Sequence, residues 1–251
     1  MIEQEDVDGV TVVRLAHGKV NALDVELLRE ITAVFDRLTR SASRAVVLTG
    51  TGSCFSAGVD LWRVVDGGAA YVDAFLPALS DAFLSVFTLD KPVVAALNGH
   101  AIAGGAVLAC AADQRLAVES GARIGVTELV AGVPFPPVAL EIVRFAIGEQ
   151  SARAAIVTGN TVDPPGAFAA GFVDRLVPAD TLRDTALATA RRLASIPPDT
   201  FGLTKQQLRL PVQERIDRYR PLHDARVRDL WVAGVEGGRL RRYMESVTAG
   251  R

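Results

Sequence analysis

The stretch Lys91-Pro92-Val93-Val94-Ala95-Ala96-Leu97-Asn98-Gly99-His100-Ala101-Ile102-Ala103-Gly104-Gly105-Ala106-Val107-Leu108-Ala109-Cys110-Ala111-Ala112-Asp113 decides the fold. From Val93 to Ala112 it contains no Asp, Glu, Lys or Arg. Val93 to Leu97, β-branched and small, reads as a buried strand. Asn98-Gly99 reads as a turn, and Gly104-Gly105 opens a small-residue segment, Ala106 to Ala112, that reads as a buried helix. A strand feeding a glycine-paired helix start leaves bare N–H groups at a positively polarised end, suited to a phosphate, a carboxylate or an oxyanion. The same 20 residues are long enough to span a bilayer. Asn98, His100 and three glycines would then lie in hydrocarbon, and Lys91 and Asp113 flank the run without the basic bias that orients a span. The stretch is therefore read as a soluble core, with no membrane insertion.

Working outward, 251 residues, 49% hydrophobic and 22% charged, suffice for one large core plus an appendage. A net charge of −2 gives no electrostatic case for nucleic acid as a partner. Cys54 and Cys110 lie in apolar contexts and read as reduced core thiols rather than a disulfide framework. Met1 to Asp6 is acidic, and no apolar segment of a signal peptide follows. The expected location is cytoplasmic.

Alternating patterns predict strands at Val10–Leu15, Ala45–Leu48, Arg115–Val118 and Phe172–Val177, with 123–128 extended. Leu27, Leu28, Ile31, Val34, Phe35 and Leu38 recur at helical spacing, with Asp24 placed as the cap. A helix is predicted over 69–88, with Phe75, Leu79, Ala82, Phe83 and Val86 on one face. Pro134 to Pro137 starts another, which Gly148 stops. Further helices are predicted over 151–157, 166–170 and 180–195. Ile196-Pro197-Pro198-Asp199 reads as a linker. It divides a core over 1–195 from an arginine-rich helical arm over 196–251, carrying Tyr219, Trp231 and Tyr243 and expected to pack on a neighbouring chain.

Several catalytic templates fail. Gly50-Thr51-Gly52 lacks the third glycine of a dinucleotide fingerprint, and Gly99 to Gly105 lacks the Lys-Ser/Thr of a P-loop. Ser56 lacks the glycine of a nucleophile elbow. His17, His100 and His223 have no metal-ligand spacing. What remains is two small-residue backbone loops, Ser56-Ala57-Gly58-Val59-Asp60 and Ala103-Gly104-Gly105, and one carboxylate, Glu128.

The motifs Asn21-Ala22-Leu23, Phe55-Ser56-Ala57-Gly58-Val59-Asp60-Leu61, Lys91 to Gly99, Ala103-Gly104-Gly105 and Asp113 occur in one order. Together they resemble the crotonase superfamily, the enoyl-CoA hydratases and isomerases, over about residues 5 to 250. The resemblance implies an α/β fold, a crotonase-like spiral of ββα units with a C-terminal helical arm for trimerisation. It also implies a homotrimer or a dimer of trimers. The implied substrate is an acyl-CoA thioester whose carbonyl oxygen sits between the Val59 and Gly104 N–H groups. Two such donors stabilise the enolate formed when a proton leaves the neighbouring carbon. No metal or other cofactor is implied, because coenzyme A is part of the substrate. Asn21 and Ala22 map near the adenine, and Asp60 maps to the loop and the CoA side. Ser56, Ala57, Leu61, Gly105 and Val107 complete the implied contact set. Lys205 is implied to reach a CoA phosphate, against the ordinary reading of a solvated helix lysine.

Hydratases of the family use two glutamates. One follows the glycine helix start by three positions, where this chain has Val107, and the other maps to Glu128. A valine cannot move a proton, so the two-carboxylate arrangement for activating water is broken. One glutamate suffices to take a proton from C2 and return it at C4. The pattern is thus most similar to the single-glutamate Δ3,Δ2-enoyl-CoA isomerases. A hydratase, a hydrolase using Glu128 alone, and a silent acyl-CoA-binding protein stay open. By itself a loop glutamate such as Glu128 would be solvated or paired with a neighbour such as Arg123.

Overall fold

Three successive strand–strand–helix units build the protein. The computed structural model describes residues 1–249, so the last two residues of the expected arm lie outside the described residues. A hairpin of β1 (Ile2–Val7) and β2 (Val10–Leu15) leads to α1 (Val25–Thr39). Asp24 caps α1, its Oδ1 accepting the Leu27 N–H at 2.8 Å. The units follow as β3 (Ala45–Gly50), β4 (Cys54–Ser56) and α2 (Leu61–Thr88), then β5 (Val93–Leu97), β6 (His100–Ile102) and α3 (Gly104–Cys110). The third is β7 (Gln114–Val118), β8 (Ile124–Gly125) and α4 (Glu128–Ala131). In each unit the first strand joins a six-stranded sheet of order β1-β2-β3-β5-β7-β9, where β9 is Arg175–Val177, and the second joins a three-stranded sheet, β4-β6-β8. Apart from the hairpin, the named strand pairs are parallel.

A parallel sheet needs cover on both faces, and the strand sequences supply it. Val10, Val12, Ala45, Val47, Val94, Ala96, Leu116 and Val118 face α8 (Leu182–Ala194), packing on its Leu182, Ala186, Leu187 and Ala190. Their alternates, including Val13, Leu15, Val46, Leu48, Val93, Ala95 and Leu97, face the main core built with α1, α2 and α3. The central strand β5, apolar at every position, serves both faces. The remaining helices are α5 (Pro137–Ile147), α6 (Glu149–Thr158), α7 (Pro164–Ala170), α9 (Pro198–Glu236) and α10 (Arg239–Ala249).

The central stretch folds as strand, turn, strand and helix. β6 is an addition to the expected strand-turn-helix, made possible by Gly99. A Cβ there would lie 1.8 Å from the Ser53 carbonyl oxygen, so only glycine lets β6 fold back beside β4. Asn98 secures this reversal, its Oδ1 accepting from Gly50 N–H and its Nδ2 donating to Gly52 O. β1 was also unanticipated. It is an edge strand carrying Glu3, Glu5 and Asp6, with no apolar periodicity to betray it. One helix, α2, is long and apolar enough to cross a bilayer by length and composition. It is broken at Gly68 and buries Phe75, Leu79, Phe83 and Phe87 in the main core.

The arm begins without a free linker, since Pro198 already opens α9. The arm packs on α2 and α5 of its own chain. Arg209 lies over the Phe87 ring at 4.1 Å, donates to the Phe87 carbonyl, and meets Asp113 at 2.6 Å.

Candidate active site

The loop after β4 is held by backbone and hydroxyl bonds. Ser56 Oγ donates to Asn21 O at 2.8 Å and accepts from Gly58 N–H at 3.1 Å. Leu23 N–H donates to Gly58 O at 2.8 Å, and Asp60 N–H donates to Leu23 O at 3.0 Å. This parallel bridge turns the Val59 N–H away from Leu23. Among the described residues, neither the Val59 nor the Gly104 N–H has a hydrogen-bond partner. Gly58 adopts φ +82°, and a Cβ on it would lie 2.4 Å from Ile102 O and 3.1 Å from the Gly104 nitrogen. The two loops therefore touch backbone to backbone.

Ala103, just before Gly104, has φ 50° and ψ −125°, a conformation that L-residues rarely adopt. Its ψ sets the plane of the peptide that carries the Gly104 N–H. The strain is over-determined: Ala103 N–H donates to Gly125 O at 2.8 Å, and its carbonyl accepts from Ala106 and Val107 at 2.9 and 3.1 Å.

Beside these loops is a cavity of about 390 Å³, whose wall includes Ala22, Ala57, Val59, Asp60, Ile102, Ala103, Glu128, Val133 and Trp231. Glu128 starts α4 and is only 7% exposed. Its Oε2 is the buried side-chain polar atom with no hydrogen-bond partner among the described residues. Burial pushes its carboxyl up to about 7, against the backbone of Glu128 and Thr127, whose hydrogen bonds favour the anion. Arg123 does not pair with it. Its guanidinium donates to Thr161 Oγ1 at 3.1 Å and to Thr161 O. The solvated or salt-bridged reading of Glu128 is thereby overturned. A buried carboxyl with a free oxygen, held near neutrality, can accept and release protons.

Of the expected site residues, Ala22, Ala57, Val59, Asp60, Leu61 and Glu128 line the cavity. Gly104 is buried directly behind Ala103 in the chain. Asp60 caps α2, its Oδ1 accepting from Arg63 N–H at 3.1 Å. Five residues need correction as ligand contacts. Asn21 is fully buried, and its amide donates to Cys54 O and Phe55 O while accepting from His17 N–H, which leaves it no reach to a ligand. Ser56 is fully buried and orients the loop through its hydroxyl. Gly105 is needed for packing, since a Cβ would lie 2.3 Å from Ser56 O. Val107 is enclosed in the main core and does not reach the cavity wall. Lys205 is buried, donating to Asp113 at 2.6 Å and to Lys91 O at 2.9 Å, so neither the phosphate contact nor a solvated lysine describes it.

Sequence reasoning missed the wall contributed from far along the chain: Trp231 from α9, and Tyr243, Met244 and Val247 from α10. The available signal was Trp231 and Tyr243, two of the aromatic residues in an arginine-rich arm.

A family model described as enoyl-CoA hydratase/isomerase matches residues 5–230. A protein of Thermus thermophilus named putative enoyl-CoA hydratase is 38% identical over 192 residues, covering 75% of each chain. Mouse mitochondrial enoyl-CoA delta isomerase 1 is 29% identical over 223 residues, covering 88% of this chain and 77% of its own. The crystal structure of human mitochondrial delta3-delta2-enoyl-CoA isomerase matches with a TM-score of 0.91 at 26% identity, covering 100% of this chain and 99% of that one.

Proposed function

The chain belongs to the enoyl-CoA hydratase/isomerase family, and from that premise we propose that it is the isomerase kind of enzyme, moving a double bond of an enoyl-CoA from position 3 to position 2. The observation that carries this reading is the buried Glu128 carboxyl, whose Oε2 has no hydrogen-bond partner among the described residues, in a largely apolar cavity. The thioester oxygen would sit between the Val59 and Gly104 N–H groups. Glu128, as the anion, takes a proton from C2, the negative charge spreads onto the thioester oxygen, and the two donors stabilise it. The same carboxyl then returns the proton at C4, which places the double bond in conjugation with the thioester. One group with a pKa near neutrality serves both steps, since it must be a base first and an acid second.

Adding water across a 2-enoyl-CoA asks for a second acid/base group. The other carboxylate on the cavity wall, Asp60, is engaged in capping α2. A specific observation favours the hydratase as second reading: the 38%-identical relative carries that name. Leucines 203, 208, 210 and 222, exposed along α9, support association of copies of the chain, and a molar-mass measurement tests the trimer.

The deciding experiment follows ultraviolet absorbance as trans-3-enoyl-CoA is converted to its conjugated isomer. Wild type and Glu128→Gln are compared, with 2-enoyl-CoA hydration measured on the same preparation. Conjugation by the wild type, lost in the variant and unaccompanied by hydration, is expected. Hydration as the dominant reaction overturns the isomerase reading. Turnover of neither substrate, with acyl-CoA still bound, makes the protein a binding protein.

A further inference from the structure

We propose that Trp231 closes the acyl end of the cavity and sets the longest acyl chain the protein accepts, with a second, partly open cavity behind it. This rests on reading the cavity beside Glu128 as an acyl-CoA site.

Trp231 reaches the cavity wall from the middle of the arm and is only 1% exposed. The indole is locked at both ends. Its Nε1–H donates to Pro134 O at 3.1 Å, and its ring meets Phe75 with centroids 5.9 Å apart and planes tilted by 41°. Phe75 is in turn fully buried on α2, so the pair cannot swing aside without opening the core. A second cavity, of about 280 Å³, lies against the same three elements and is lined by Val72, Leu76, Pro77, Pro136 and Val227. Its lining residues neighbour the Phe75 and Pro134 contacts of Trp231. Val72 and Leu76 bracket Phe75 on α2, Pro136 follows Pro134 by two positions, and Val227 precedes Trp231 by one helical turn. In this proposal the indole and Phe75 form the partition, with Glu128 on one side and the second cavity on the other.

The chemistry of the far chamber fits an alkyl tail. Its floor is aliphatic, and its charged rim is already internally satisfied, with Arg228 on Asp73 at 2.7 Å and Arg220 on Asp224 at 3.2 Å. An acyl chain entering past Glu128 meets the indole face before it could reach that floor. Affinity should therefore grow with chain length and then stop growing where the terminal methyl touches Trp231. While each added methylene is buried, the gain is about fourfold, from ~0.8 kcal/mol per CH₂ at about 1.4 kcal/mol per decade.

The test is calorimetric binding of saturated acyl-CoAs, from butyryl to tetradecanoyl, to wild type, Trp231→Leu and the double variant Trp231→Leu/Leu76→Phe. Saturated thioesters do not react, so the result is independent of which reaction the protein performs. Expected is a plateau in affinity at a short or medium chain for wild type. In Trp231→Leu the plateau moves outward by several carbons. In the double variant, the ring at position 76 refills the chamber and the plateau returns. Trp231→Phe, a milder change, shows the same direction with a smaller shift and guards against a variant that fails to fold. A plateau unmoved in folded Trp231→Leu and Trp231→Phe overturns the proposal, as does wild-type affinity that climbs to tetradecanoyl without a break. A moved plateau in a protein that isomerises nothing upholds the partition and overturns the proposed reaction instead.

Discussion

Glu128 and Glu141 are both buried glutamates at the start and middle of neighbouring helices, and the protein treats them in opposite ways. Glu141 accepts from Arg144 at 2.8 Å and from Arg215 at 2.6 Å, so both of its oxygens are met by guanidinium groups. Asp113 is handled similarly, between Lys205 and Arg209, each at 2.6 Å. Glu128 has apolar walls, an Arg123 turned elsewhere, and an oxygen with no partner. Burying a carboxylate costs several kcal/mol unless it is paired. Pairing makes Glu141 and Asp113 cross-links between segments of the fold. For Glu128 the cost appears as a raised pKa, which is a handicap for stability and an asset for proton transfer. The contrast separates acids that hold the fold from the acid proposed to move protons.

Glu128→Gln is the largest expected effect. Isomerisation should fall by about 10²–10⁴-fold, the usual contribution of a general acid–base, with acyl-CoA affinity retained by calorimetry. Removing an acid of the other kind should do the reverse. Asp113→Ala leaves the Lys205 and Arg209 cations buried without their acid, and denaturant unfolding should show about 3–5 kcal/mol of lost stability. Activity of whatever remains folded should be near normal. Activity lost with stability kept would break the comparison.

A pH series sharpens it further. Glu128 has a folded value of about 7 against an ordinary 4.5. Between these values the folded chain holds a proton that the unfolded chain has released. Stability should thus fall as pH rises from about 4.5 to about 7, by about 3 kcal/mol in all. In Glu128→Gln this part of the slope disappears, and the variant is more stable than wild type at alkaline pH. Over the same range wild-type kcat/KM should rise with a midpoint near 7, as the base form accumulates. The smallest effect is expected of Arg123→Ala, within about 0.5 kcal/mol in stability and without change in kcat/KM, because that side chain serves Thr161 at the surface. A large loss of activity there would restore it as a partner of Glu128.

Much of this architecture is legible in the chain itself. The Asp24 cap, the Val93–Leu97 strand and the Gly104-Gly105 helix start are local features, written in residues close to one another. The two small-residue loops are likewise visible. What local pattern cannot carry is burial produced by distant segments. Lys205 looks like any solvated helix lysine until Asp113 is seen beside it. Asn21 looks like a ligand contact until its amide is found spent on Cys54 and Phe55. Trp231 enters the cavity wall only because α9 returns across α2. β1, with its charges facing out on a sheet edge, has no apolar alternation to read.

Ala103 has a further consequence. Its unusual backbone angles turn the Gly104 peptide, and the bonds to Gly125, Ala106 and Val107 keep it turned. That distortion is met once, when the chain folds. On the proposed reaction, no substrate molecule has to rotate a donor into line as negative charge reaches the thioester oxygen. Water around a free thioester would have to reorient its dipoles at each event, and that reorganisation energy is part of the uncatalysed barrier. Here the reorganisation is already complete before the substrate arrives, stored in the strained backbone of one alanine.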